Sequence, residues 1–200
     1  MNVNAFTRFL LTAIAATLAL TCVPATVHAH TGVGPTHDLL HGLEHPLMGL
    51  DHICAMLAVG IWAAQRGGRA IGVMPATFVL VMAIGGVLGM AGVKLPYVEP
   101  SIALSVVVLG ALVATAARLP LSPSLAIVSL FALVHGYAHG AETPAAVSGV
   151  LYSLGFTAST VCLLAAGVLF DRLMQRFHTS QLVRLAGAAI AFCGVFLSIR

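Results

Sequence analysis

Residues 71–92 read IGVMPATFVLVMAIGGVLGMAG, an uncharged run closed by Arg69 on one side and Lys94 on the other. A hydrocarbon core ~30 Å thick takes about 20 helical residues, so this run is long enough for one membrane crossing. Only a helix satisfies its own backbone polar groups there, apart from a closed barrel, and strand-like alternation is absent. The pattern recurs along the chain. Apolar segments at about 46–65, 101–117, 123–141, 145–169 and 181–199 have similar lengths. Breaks fall at Arg66-Gly67-Gly68-Arg69, Lys94-Leu95-Pro96, Arg118-Leu119-Pro120 and Asp171 to His178. The expected fold is all-α: a polytopic membrane protein built as a six-helix transmembrane bundle.

Composition excludes the alternatives. Of 200 residues, 60% are apolar and 8% are charged, against roughly 25% charged in a soluble domain. A net charge of +3 scattered along the chain is no polyanion-binding surface, so no nucleic acid partner is expected. The lipid bilayer is the solvent, and homo-oligomers are compatible with the composition. Small residues such as Gly85, Gly86 and Gly89, and later Gly149 and Gly155, allow close helix approach in lipid. The cysteines lack the spacing of a disulfide framework or a zinc knuckle, and Cys54 reads as a small apolar residue.

The N-terminus has the form of a targeting segment. Arg8 precedes an uncharged stretch from Phe9 to Val23, then Pro24 and Val27-His28-Ala29, with short side chains at a cleavage site. Residues 1–29 are expected to be a cleaved signal peptide, 30–44 a periplasmic His-rich segment and 45–200 the transmembrane domain. With the mature N-terminus in the periplasm, the cytoplasmic loops receive Arg66, Arg69, Arg118, Arg172, Arg176 and Arg184, and the outer side keeps Lys94 and Arg200. That asymmetry follows the positive-inside rule and implies a multi-pass protein of a bacterial inner membrane.

Nine histidines, as many as all Lys and Arg together, are the chemical anomaly. The first group runs His41-Gly42-Leu43-Glu44-His45-Pro46-Leu47-Met48-Gly49-Leu50-Asp51-His52. Pro46 suits the first turn of a helix. On that helix His45 and His52 point within about 20° of each other, with Met48 on the same face. One satisfied Asp–His pair would explain part of this, but ionisable groups inside a span lean toward function. The second group, Val134-His135-Gly136-Tyr137-Ala138-His139-Gly140-Ala141-Glu142, places His135, His139 and Glu142 on one stripe.

The first span enters from outside and the fourth returns to it, so both groups occupy the outer half of the membrane. Neutral imidazoles with carboxylates suit Ni²⁺, Co²⁺, Zn²⁺ or Cu²⁺ better than Mg²⁺ or Ca²⁺. The candidate metal ligands are His45, Asp51, His52, His135, His139 and Glu142. His30, His37 and His41 form a candidate capture segment, and Met48, Thr157, Ser159 and Thr160 a candidate pathway. His178, in a cytoplasmic loop, reads as solvated.

These motifs resemble the HupE/UreJ family of nickel-transporting membrane proteins. His45-Pro46-x-x-Gly49-x-Asp51-His52 is similar to its first-helix signature, and His135-Gly136-x-Ala138-His139-Gly140-x-Glu142 to its second. A fifth-helix pattern is matched by Gly155-Phe156, Thr160, Leu163 and Gly167, but Leu164 stands where that pattern has His. The resemblance implies delivery of Ni²⁺ or Co²⁺ to the cytoplasm as transported substrate, with no tightly bound cofactor and no enzymatic activity. It also implies an indirect link to hydrogenase or urease maturation.

Two other readings remain open from the residues alone. One is a haem-binding electron carrier using His52 with His135 or His139; the other is a metal-binding accessory protein that does not transport. A metalloprotease lacks its His-Glu-x-x-His, and no nucleotide-binding motif is present.

Overall fold

The computed structural model describes residues 35–143 and 148–199, with side chains from Asp38 onward. The expected signal peptide 1–29, His30 and the His37 side chain lie outside the described residues. Among the described residues seven helices follow in order: α1 Pro35–Met48, α2 Leu50–Arg66, α3 Ala70–Met90, α4 Val98–Ala114, α5 Leu121–Ala141, α6 Gly149–Arg176 and α7 Ser180–Ser198. No strand occurs among the described residues. Helices α3, α5, α6 and α7 are each long and apolar enough to cross a membrane, and α1 with α2 makes a fifth candidate if the bent pair is one span. Helix α4, with 17 residues, is apolar but shorter. The chain is a multi-pass helical membrane protein.

Helix ends follow local chemistry. Gly67 at φ 72° closes α2 and Gly92 at φ 71° follows α3, left-handed conformations that glycine takes without a Cβ penalty. The expected boundaries hold there, and Pro120 stands immediately before α5.

The helix expected at 101–117 spans Val98–Ala114, and two boundaries differ more. Helix α6 runs past residue 169 to Arg176, because Asp171 and Arg172 mark where the apolar run ends without opposing helix formation. It stops at a turn where His178, which is exposed, has φ 55°.

Pro46 does not begin the first span. It lies inside α1, which starts at Pro35, so much of the expected periplasmic segment is helical. A proline inside a helix removes one i→i−4 hydrogen bond and crowds the carbonyl four residues back, and α1 stops two residues later. The break comes at Gly49, in extended conformation at φ −97° and ψ 116°, and α1 and α2 meet at 82°.

Helix α2 is central. Nearly every residue from Cys54 to Ala64 is buried, including Met56 and Trp62, against α3, α4 and α6. The indole N–H of Trp62 donates to the Ala117 carbonyl at 2.9 Å, satisfying a polar group that apolar surroundings would otherwise strand. Leu80, Ile84 and Val87 on α3 and Phe192 on α7 are exposed, as expected of side chains that meet lipid rather than protein.

The helices approach through glycines. A Cβ at Gly136 or Gly140 of α5 would collide with the carbonyl of Met82 or Gly86 on α3. Gly42 of α1 abuts the Tyr152 carbonyl of α6, and Gly155 of α6 that of Leu39. Backbone-to-backbone packing of this kind replaces the hydrophobic drive that lipid removes. It seats α1 on α6 and α5 on α3, and side chains of α1, α5 and α6 meet between them.

Candidate metal centre

The Asp51–His52 pair is built by the break at Gly49. Asp51, in the first turn of α2, sits where a negative charge favours the helix dipole. Its Oδ1 accepts the backbone N–H of His52 at 2.8 Å and lies 2.6 Å from His52 Nδ1. An ionised carboxylate only accepts, so Nδ1 carries the proton and the Nε2 lone pair is free. Gly49 is required beneath this pair. A Cβ there would lie 2.6 Å from both Asp51 Oδ1 and His52 Nδ1.

On α5, His135 and His139 are one turn apart on the face toward α2 and α6 and are buried. The rings of His52 and His135 have centroids 4.8 Å apart, and those of His52 and His139 4.1 Å. The end of α1 adds His45, whose ring is 4.9 Å from His139. Its Nε2 lies 3.3 Å from Glu142 Oε2, on the residue that closes α5. One donor atom each from His45, His139 and Glu142 lies within 4.8 Å of the others. Metal–nitrogen bonds near ~2.1 Å put donors that share an ion about 3–4 Å apart, so small side-chain rotations close this set.

The inner part of the cluster has unmet valence. His52 Nε2, His135 Nδ1 and both ring nitrogens of His139 are buried without a protein partner. Buried polar atoms are ordinarily paired. These nitrogens sit on three adjoining rings, each neutral ring having one lone pair to give, and form a donor set with the chemistry of a transition-metal site.

The six expected ligands thus fall into two adjoining groups. His45, His139 and Glu142 converge on one side, while His52 and His135 meet His139 on the other. Asp51 acts on His52. The capture residue His41 is exposed on α1, with its ring 6.3 Å from that of His45 and stacked on it.

Of the expected pathway residues, Thr157 lines a cavity of about 140 Å³ that also touches His139, Met82 and Met90. Ser159 and Thr160 are buried on α6, and the Thr160 hydroxyl points to Met82 Sδ at 3.9 Å. Met48 is 62% exposed, and the bend at Gly49 ends the helix that was expected to carry it on one face with His45 and His52. Leu164 is buried further along α6, its backbone carbonyl against Gly60 of α2.

Three contributors escaped sequence reading. Tyr152 and Phe156, one turn apart on α6, close over the imidazoles: Phe156 lies 4.1 Å from His139 and Tyr152 5.7 Å from His45. Their i, i+4 spacing in a run already noted for its Ser and Thr was the available signal. Ser105 of α4 contacts His135, and nothing in its apolar stretch marks it. Asp51 also borders a groove of about 710 Å³ between α2, α4 and α7 that carries Glu99.

Residues 18–197 match the HupE / UreJ protein family. The chain is 43% identical over 186 residues to Protein HupE of Rhizobium leguminosarum bv. viciae, covering 93% of this chain and 97% of that protein. No solved structure matches.

Proposed function

The chain belongs to the HupE / UreJ protein family, and from that premise we propose that it is a secondary transporter, a permease of the bacterial inner membrane. It carries Ni²⁺ or Co²⁺ inward to supply nickel enzymes such as hydrogenase or urease. The reading takes α2 to α7 as six spans, with the mature N-terminus in the periplasm. The observation that carries it is the set of buried imidazole nitrogens without protein partners on His52, His135 and His139. Leaving such atoms unmade costs free energy unless a ligand uses them.

In this reading a hydrated cation first meets His45, Glu142 and the adjacent His41. The carboxylate offsets charge while imidazole nitrogens replace waters one at a time, which avoids the cost of a bare ion in an apolar bundle. His139, with both ring nitrogens open, lies between this outer group and the inner pair His52 and His135, so an ion passes inward without losing all its ligands at once. Tyr152 and Phe156 cover the site, and Thr157, Ser159 and Thr160 form the polar side of α6 beyond it. Movement of α6 against α2 opens the inward path, driven by the membrane potential, an ion gradient or sequestration in the cytoplasm.

A haem carrier fits less well. Axial ligands stand on opposite faces of a macrocycle, whereas His52 touches both His135 and His139 directly.

The test is radiolabelled nickel uptake into vesicles containing the full-length protein, comparing the wild type with His52→Ala and His139→Ala, with cobalt and zinc as competitors. Loss of uptake in both variants is expected. Normal uptake by both removes the assigned site, and binding without accumulation makes the protein a metal-binding accessory instead.

A further inference from the structure

Ser105, in the middle of α4, belongs to neither histidine stretch, yet it is fully buried against the equally buried His135. Its Oγ lies 2.6 Å from the Ile102 carbonyl oxygen and 2.8 Å from His135 Nε2. A hydroxyl has one proton to give. The carbonyl only accepts, so a 2.6 Å approach is attractive only when the Ser105 proton points at it. Turned the other way, that proton would leave two acceptors facing each other at the same distance. The hydroxyl oxygen therefore accepts from His135 Nε2–H. A neutral imidazole carries a single ring proton, so Nδ1 has the lone pair, and Nδ1 is the His135 nitrogen that is buried without a protein partner.

We infer that Ser105 is a positioning residue for the metal pathway, holding His135 in the tautomer and orientation that present Nδ1 to the cation. Asp51 does the complementary task on His52, accepting the hydrogen bond from Nδ1–H and leaving the Nε2 lone pair free. The inner pair thus offers one nitrogen of each kind to a borderline divalent cation, and the two ring protons are held by α4 and by the start of α2. Hydrogen-bond partners behind metal-binding imidazoles commonly govern affinity by 10- to 100-fold, by fixing which nitrogen is available. The inference rests on the transporter reading for its metal but not for its tautomer, and the two are separable by experiment.

The test uses full-length protein in lipid nanodiscs with ¹⁵N-labelled histidine. Long-range proton–nitrogen spectra of the metal-free protein report which ring nitrogen of His135 is protonated, the signal being assigned by its loss in His135→Gln. The wild type is expected to show Nε2–H, Ser105→Ala a mixture or Nδ1–H, and Ser105→Thr, which keeps the hydroxyl, the wild-type pattern. Titration with Co²⁺, read by its visible absorption, is expected to show affinity lowered about 10- to 100-fold in Ser105→Ala and restored in Ser105→Thr.

Wild-type His135 protonated at Nδ1 overturns the proposal without any variant. So does a folded Ser105→Ala protein with unchanged tautomer and unchanged Co²⁺ affinity. A tautomer change in protein that binds no Co²⁺ upholds the positioning of His135 and instead defeats the transporter reading.

Discussion

Replacing Gly49 by alanine tests how the Asp51–His52 pair is made. The backbone there is in the extended region at φ −97° and ψ 116°, which alanine adopts freely, so the substitution introduces no backbone strain. The whole effect comes from the new methyl group. Placed on the existing backbone, it lies 2.6 Å from Asp51 Oδ1 and from His52 Nδ1, roughly 0.8 Å inside the 3.4 Å at which ordinary contact begins. These two atoms are the ends of a single 2.6 Å hydrogen bond, so relieving the clash separates them.

A charge-assisted bond of this kind contributes about 1.5–3 kcal/mol, equivalent to about 10- to 100-fold in an equilibrium constant. His52 then loses the partner that fixes its proton on Nδ1. Ni²⁺ affinity of the purified protein is expected to fall by about that factor, with helical content unchanged, as read by calorimetric titration and circular dichroism. Gly72→Ala is the control, since nothing lies within 4 Å of a Cβ at that position, and its affinity is expected to match the wild type. A Gly49→Ala protein with wild-type affinity would show that the pair does not prepare His52 for metal.

Other substitutions separate packing from ligation. Gly140→Ala drives a methyl into the carbonyl of Gly86 and forces α3 from α5. Overpacking of this kind costs about 1–3 kcal/mol, so a lower melting temperature in detergent is expected, and an unchanged one refutes the close approach. Glu142→Gln keeps an acceptor for His45 but removes a charge that is about half exposed. Because exposed charges contribute at most about 1 kcal/mol, nickel affinity should drop no more than about fivefold in a titration, far less than for His139→Ala. An equal loss in the two variants would make Glu142 an indispensable ligand. Met48→Ala is expected to leave uptake unaltered, since the side chain is mostly exposed, and a severe transport defect would place Met48 in the pathway.

Much of the fold was legible because its signals are local. The uncharged runs and the Gly and Pro residues between them placed most helix boundaries, since lipid forces the backbone to satisfy itself within each segment. The histidines at positions 135 and 139 share a face because any α-helix puts residues four apart together. The first group was harder. Periodicity treats residues 45–52 as one helix, but the chain turns at Gly49, where a Cβ would meet the Asp51 and His52 side chains, a contact that helical periodicity does not register. That turn puts Met48 and His52 on different helices.

By itself, then, the amino-acid order determined a helical membrane protein with two imidazole-rich segments and the residue types suited to a transition metal. Both properties depend on near neighbours in the chain and on the surrounding solvent. Only the tertiary structure decided that the candidate ligands divide into an outer and an inner group around His139, and that Tyr152, Phe156 and Ser105 pack against them. Those relations join helices far apart in sequence, 30 residues apart for Ser105 and His135. They are set by how closely glycine-bearing backbones approach, a distance no pattern along one segment encodes.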